Sequence, residues 1–185
     1  DDDYVVNNIQ LRSLSNMGEL MTRAVQGNYH PLAMISSAFS HAMSGDQPWG
    51  YHFLNIIFHL LNTCLVYKVA WRLSKGNGVI AFACALIFGV HPMHVESVAW
   101  VSERKDVLYG FFFLLGLDRY VRYVDEGKRS HYFFSILWFL LSLASKPAAI
   151  IFPIVLFAID FLRKRKMSAA LFTEKIPFLI FSLFV

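Results

Sequence analysis

Charge is scarce in this chain. Only 16% of its 185 residues are Asp, Glu, Lys or Arg, against 56% that are hydrophobic, and the mean hydropathy is +0.47. A soluble globular domain of this length carries more charge and shorter apolar runs. Cysteine is scarcer still. Cys64 and Cys84 are the two, and both sit inside apolar runs, where buried reduced thiols are expected rather than a disulfide or a metal pair. No basic stripe interleaved with aromatics is present, so the formal charge of +4 does not point to nucleic acid. Internal repeats, low-complexity tracts and a signal-like segment are also missing. The chain starts at Asp1 without a methionine and stops inside an apolar run at Val185, so both ends read as cuts in a larger protein.

What is abundant is apolar length. Runs recur at Tyr51–Trp71, Val79–Val90, Val107–Leu117, Tyr132–Ala144, Ala148–Leu162 and Ile176–Val185. They predict an all-α polytopic transmembrane bundle of about six spans over residues 49–185, with the lipid bilayer as its solvent. Tyr51–Trp71 is the clearest span: as a helix it rises about 30 Å, one hydrocarbon thickness, between Trp49 and Trp71. Val79–Val90 is short, roughly 18 Å as a helix. Residues 1–48 form an outer segment. In it Leu32–Met43 is weakly amphipathic and suited to lie along the interface, and Gly45-Asp46-Gln47-Pro48 makes a turn before Trp49.

Counting spans from Tyr51 collects most of the bases on one side: Lys68, Arg72, Lys75, Arg119, Arg122, Lys128, Arg129, the run Arg163–Lys166, and Lys175. Only Arg12, Arg23, Arg104, Lys105 and Lys146 fall on the other. Basic loops stay cytoplasmic, so the second side is extracytoplasmic. Asp1, Asp2, Asp3, Glu19, Asp46, Glu96, Glu103 and Asp106 are assigned to it, together with His30, His41, His52, His91 and His94. A chemical site is expected there, centred on the outer loop 91–106.

Four constellations could carry chemistry. His52, Asn55, His59 and Asn62 fall on one helical face, and a lipid-facing stripe of this kind is costly. It must face other helices or a wet cavity, either as interhelical glue or as substrate contact. Asp1-Asp2-Asp3 is either a solvated acidic tail or a source of a carboxylate with a raised pKa, suited to a general base or a metal ligand. His94-x-Glu96 brings imidazole and carboxylate together only in an extended or turn conformation. Glu103-Arg104-Lys105-Asp106 reads either as a solvated cap with Asp106 as N-cap, or as a phosphate grip by Arg104 or Lys105. Lys146-Pro147 poses the same choice between snorkelling and anion binding.

Taken together, Asp2-Asp3-Tyr4, Asn28-Tyr29-His30-Pro31-Leu32, Pro48-Trp49-Gly50-Tyr51-His52, Asn55, His59 and Asn62, the block His91-Pro92-Met93-His94-Val95-Glu96-Ser97-Val98-Ala99-Trp100-Val101-Ser102-Glu103-Arg104-Lys105-Asp106-Val107-Leu108, and Ser145-Lys146-Pro147 resemble the transmembrane and tetratricopeptide-repeat-containing protein family. The long block is specific, and the other pieces are individually weak. The resemblance implies a GT-C type glycosyltransferase using a polyprenyl-phosphate sugar, a hexose such as mannose, and an acceptor on a protein or glycan. It implies a span before Asp1 and tetratricopeptide repeats after the membrane region, so this piece alone is expected to be inactive. It maps the essential acid of the first outer loop onto Asp2 or Asp3, and a second acidic motif onto His94 and Glu96. On this reading Asp3 or Asp2 is the base of an inverting transfer. Glu96, His94 and His91 orient acceptor or sugar, with His52 and His59 below them, and Arg104, Lys105 or Lys146 meets the leaving phosphate. A divalent ion, Mg or Mn, would sit on Asp3, His94 and Glu96, although no crowded acidic cage is present to require one. The rival readings are a non-enzymatic membrane scaffold whose stripe is glue and, more weakly, a transporter. The expected location is a bacterial inner membrane, or the endoplasmic reticulum membrane in a eukaryote.

Overall fold

The computed structural model describes Gly18 and residues 30–184. Asp2 and Asp3 lie outside the described residues, so their expected role has no geometry here. Among the described residues every regular element is a helix, and the all-α expectation holds. In chain order these are α1 (Pro31–Ser44), α2 (Trp49–Leu73), α3 (Gly78–Val90), α4 (His94–Ala99), a 3-10 turn (Val101–Glu103), α5 (Arg104–Glu126), α6 (Arg129–Ser145), a second 3-10 segment (Pro147–Ile151), α7 (Phe152–Leu162), α8 (Ala169–Thr173) and α9 (Ile176–Leu183).

Local chemistry sets the boundaries. Pro31 opens α1, where a missing N–H costs nothing. Asn77 caps α3 by accepting from the amides of Val79 and Ile80. Gly127 ends α5 at φ 70°, a left-handed position that favours glycine. Two X-Pro steps stop helices at the same end of the bundle. His91 precedes Pro92 and Lys146 precedes Pro147, and both adopt extended backbone (ψ 127° and 132°) because proline disfavours the helical region in the residue before it. α5 starts at Arg104, earlier than the apolar run at Val107 suggests.

α5 packs against α6 and α2, and α2 also packs against α3. The main core lies among α5, α6, α7 and α9. There Phe139 stacks on Phe152 at 4.9 Å between centroids, and Phe152 stacks on Phe178 at 5.7 Å. Gly116 admits Phe152: a Cβ added there would lie 2.9 Å from the ring. Residue α1 contacts are made by Met34 and Ala38 on Tyr51.

The outside of the bundle is also apolar, with Phe53, Ile56, Leu60, Phe82, Ile87, Phe133 and Leu137 exposed. Such a continuous apolar exterior marks a surface made for lipid or protein. The cysteines correct the expectation of burial. Both are free, but both are exposed, because their apolar runs turn that face outward rather than into the core. Among the described residues one helix, Trp49–Leu73, is by itself long and apolar enough to cross a membrane; Gly78–Val90 and Pro147–Leu162 are shorter apolar helices.

One end of the bundle carries loop 91–106 and Lys146. The other gathers the bases that the sequence groups together, with acids the sequence reading did not place among them. Asp118 is buried and meets Arg72 Nε at 2.8 Å, Arg122 Nε at 3.3 Å and Lys68 Nζ at 3.4 Å. Asp160 is buried against Lys175 Nζ at 2.6 Å and Arg165 Nη1 at 2.9 Å, and it accepts from the Tyr120 hydroxyl. Arg163 donates to Arg72 O and to Asp125.

Candidate active site

The polar stripe of α2 is the foundation of the site. Asn55 donates from Nδ2 to the carbonyls of Val98 and Trp100, at 3.1 and 3.2 Å, and so ties down loop 91–106. One and two turns on, His59 Nε2 meets Gly89 O at 3.0 Å and Asn62 Nδ2 donates to Val107 O at 2.8 Å. The expectation that the stripe faces helices or a cavity is met, and it serves as glue and as lining at once. His52, half-buried at the top of the stripe, does not line the cavity described below.

Arg104 departs from its expected role as a phosphate grip. It is 1% exposed, and its guanidinium turns into the protein. It donates to Asn55 Oδ1, to Tyr51 O at 2.7 Å, and to the Ser36 and Ser40 hydroxyls at 2.9 and 3.0 Å, which joins α1, α2 and α5. Burial pulls its pKa down to about 10. Lys105 pairs with Glu103 at 3.0 Å, outside the cavity.

The histidines close the end of α3. The last carbonyls of a helix lack partners within it, and a carbonyl can only accept. His94 Nδ1 meets Phe88 O at 2.8 Å and His59 Nε2 meets Gly89 O, so each of those ring nitrogens carries its hydrogen. The ring of His94 lies 5.6 Å from that of His59 and 5.8 Å from that of His91. His91 Nδ1 accepts from the amide of Met93.

Between α2, α4, α5 and Lys146 lies a cavity of ≈ 370 Å³. His59, Asn62, His94, Ser97, Asp106, Tyr109 and Lys146 line it, with Phe88, Phe113 and Leu114 as its apolar walls and Gly110 at its side. Lys146 Nζ bonds Asp106 Oδ1, while the Ser97 hydroxyl donates to Asp106 Oδ2 at 3.3 Å. Of the residues singled out in the sequence as possible substrate contacts, the cavity unites His59, Asn62, His94 and Lys146. His91 borders a neighbouring hollow with His59 and His94.

Glu96 is exposed and borders neither. The reason is α4: two residues apart on a helix, His94 and Glu96 diverge. This also undoes their expected pairing at a shared metal. Among the described residues no three His, Cys, Asp or Glu side chains gather as ligands.

Asp106 is the principal residue that sequence reasoning missed. It looks like an N-cap, but α5 begins at Arg104, which puts Asp106 inside the first turn with its side chain free for Lys146. A signal was available. In an antiparallel helical hairpin, residues equidistant from the turn meet at the open end, and Asp106 and Lys146 lie about twenty residues either side of Gly127.

Residues 30–185 match the family model described as dolichyl-phosphate-mannose-protein mannosyltransferase. Human protein O-mannosyl-transferase TMTC2 is 36% identical over 107 residues, covering 57% of this chain and 13% of that protein. The mouse protein O-mannosyl-transferase TMTC1 is 39% identical over 101 residues, covering 54% of this chain and 11% of its own length. Human protein O-mannosyl-transferase TMTC4 is 30% identical over 166 residues, 77% of this chain and 22% of that protein. The chain therefore spans less than a quarter of the length of these curated relatives. No solved structure matches it. Because the family match starts at His30, just before α1, and continues through all the helices described above, the chain belongs to the dolichyl-phosphate-mannose-protein mannosyltransferase family.

Proposed function

We propose that this chain is part of a membrane glycosyltransferase. It moves a hexose such as mannose from a polyprenyl-phosphate donor to an acceptor hydroxyl, protein Ser or Thr included, on the extracytoplasmic side of a bacterial inner or endoplasmic reticulum membrane. One observation carries this reading: a polar cavity holding Asp106, Lys146, His94 and His59 sits at one end of a bundle whose exterior is apolar, in a chain of this family. The basic cluster at the opposite end supports the sidedness, since cationic loops are retained in the cytoplasm.

In the proposed reaction Asp3, or Asp2, removes the proton of the acceptor hydroxyl as its oxygen attacks the anomeric carbon. The bond from that carbon to the phosphate oxygen breaks with inversion, and the polyprenyl phosphate departs carrying the electron pair. Negative charge grows on the leaving phosphate, where a fixed cation is most valuable. With Arg104 committed to the fold, that task falls to Lys146, whose ammonium keeps donors beyond the one spent on Asp106, or to Lys105. Glu96, exposed on α4, is left to orient the acceptor.

The test is transfer of labelled mannose from a polyprenyl-phosphate donor by the full-length protein, with Asp3→Asn, Glu96→Gln and Lys146→Ala beside the wild type. A loss of about 100-fold or more in Asp3→Asn is expected if it is the base. Full activity in all three variants would keep an enzyme and discard this site. No transfer by the wild type from any common donor would favour a scaffold.

A further inference from the structure

We infer that the cavity between α2, α4, α5 and Lys146 is the subsite for the sugar ring, with Asp106 and Asn62 as the acceptors that read its hydroxyls. The inference rests on the glycosyl-transfer reading above and deepens it.

Charge comes first. The one carboxylate and the one ammonium lining the cavity are paired with each other, so together they add no net charge. An anionic phosphate is favoured only at the Lys146 edge of such a space, whereas the rest of it suits a neutral polar group whose hydrogen bonds are replaced.

Hydrogen-bond sense comes second. Each carboxylate oxygen has two lone-pair sites. On Asp106 Oδ1 takes Lys146 and Oδ2 takes only the 3.3 Å bond from Ser97, so acceptor capacity remains. Asn62 is buried, and because Val107 O can only accept, the amide must present Nδ2 to it. That leaves Asn62 Oδ1 buried with no protein donor, a costly state unless something brings one. His94 and His59 spend one N–H each on carbonyls of α3, so in the neutral form their second nitrogens also accept. The lining thus has more acceptors than donors, the donors being the Lys146 ammonium and the Tyr109 hydroxyl. Phosphate oxygens, which only accept, are served at Lys146 but poorly matched by the acceptor-rich remainder. A ring of hydroxyls, each able to donate, is a good match.

Size and walls agree. The volume falls at the lower end of the roughly 300–1,000 Å³ usual for small-molecule sites, and Phe88, Phe113 and Leu114 offer apolar surface to the C–H face of a pyranose.

The experiment compares, in the full-length protein, kcat/KM for the mannosyl donor with kcat/KM for donors lacking single ring hydroxyls. The wild type should lose at least tenfold on one of the deoxy donors. Asp106→Asn should lose as much on the complete donor and then no longer distinguish it from that deoxy donor. Asp106→Asn also breaks the pair with Lys146 and could fail to fold, so Gly110→Ala is the second variant. Its added Cβ would stand 3.3 Å from Asn62 Nδ2 at the cavity wall and leaves the ion pair alone. It should raise KM for the complete donor severalfold while leaving inhibition by sugar-free polyprenyl phosphate unchanged.

Equal losses on complete and deoxy donors in the folded variants, or a shift in inhibition by sugar-free polyprenyl phosphate in Gly110→Ala, would overturn the sugar subsite while the transferase stands. No wild-type transfer at all would fell the transferase reading, and this inference with it.

Discussion

Arg104 carries more of the site's architecture than any other single residue. Its donors satisfy an amide oxygen, two backbone carbonyls and two hydroxyls on α1 and α2, in a largely buried region. Arg104→Met would leave those acceptors without partners, and each buried unsatisfied group costs about 1–3 kcal/mol. The expected outcome is a loss of about 3 kcal/mol or more, read as a fall in the thermal midpoint of the purified protein. Arg104→Lys should recover part of it, since a point-charge ammonium cannot reproduce the planar fork. A midpoint unchanged in Arg104→Met would show that the network stabilises nothing. Glu126 offers a pH counterpart on the surface at the opposite end. The hydrogen bond from Lys128, followed by that from His131, holds its carboxyl below the ordinary value of 4.5. A depressed acid stabilises above its ordinary pKa and loses that contribution as pH falls through its folded one. The wild-type midpoint should therefore fall more steeply than that of Glu126→Gln as the pH is taken below about 4.5, and parallel curves would refute the pairing. The stripe of Asn55, His59 and Asn62 was legible in the sequence because helical spacing alone puts these residues on one face. Arg104 was not: beside Glu103, Lys105 and Asp106 it looks solvated, and its partners on α1 and α2 lie far off in the chain.

At the scale of elements, the hairpin of α5 and α6 sets the site by bringing its two open ends together. Most helices could be read from apolar runs bounded by turn residues, and α3 and α6 fall close to where those runs lie. The start of α5 was hidden, because its first turn is charged while its apolar run begins only at Val107. That shift converts Asp106 from a cap into a cavity residue. The hairpin's closeness to α7 depends on Gly116. Its carbonyl accepts from the Ser135 hydroxyl at 2.9 Å, and Phe152 packs where a Cβ would otherwise be. Gly116→Ala places a methyl 2.9 Å from Phe152 Cζ, and 3.1 Å from Cε2. Overpacking of this kind costs about 1–3 kcal/mol, more than the gain in helix propensity from replacing glycine, about 1 kcal/mol, can offset. A lower thermal midpoint is expected for Gly116→Ala. The double variant with Phe152→Leu should lose less than the sum of the two single changes, because both act on the same space. Additive losses would mean that the glycine matters for another reason.

Across the whole molecule, the two ends differ in how their charges are used. At the cavity end one carboxylate and one ammonium face a space a substrate can enter. At the other end acids are surrounded by bases: Asp118 has three cations around it, and Asp160 is fully buried against Lys175 and Arg165. The excess of bases there was plain from the order of residues along the chain, but the acids that partner them were not, since pairing depends on which helices become neighbours. This asymmetry makes a topological prediction that sealed vesicles can check. With Cys64 and Cys84 replaced by Ala, a single cysteine is introduced at Met93, beside the cavity, or at Ser168, between α7 and α8 at the basic end. Both positions are exposed, so an impermeant maleimide will reach either one if it stands on the accessible side. On right-side-out bacterial inner-membrane vesicles, label should enter Met93→Cys and spare Ser168→Cys. Inverted vesicles should give the opposite pattern, because the cationic loops stay with the cytoplasm. Labelling of both positions from one side would mean that the bundle does not separate them across the bilayer. A clean reversal would put the cavity on the cytoplasmic face, and the acceptor with it.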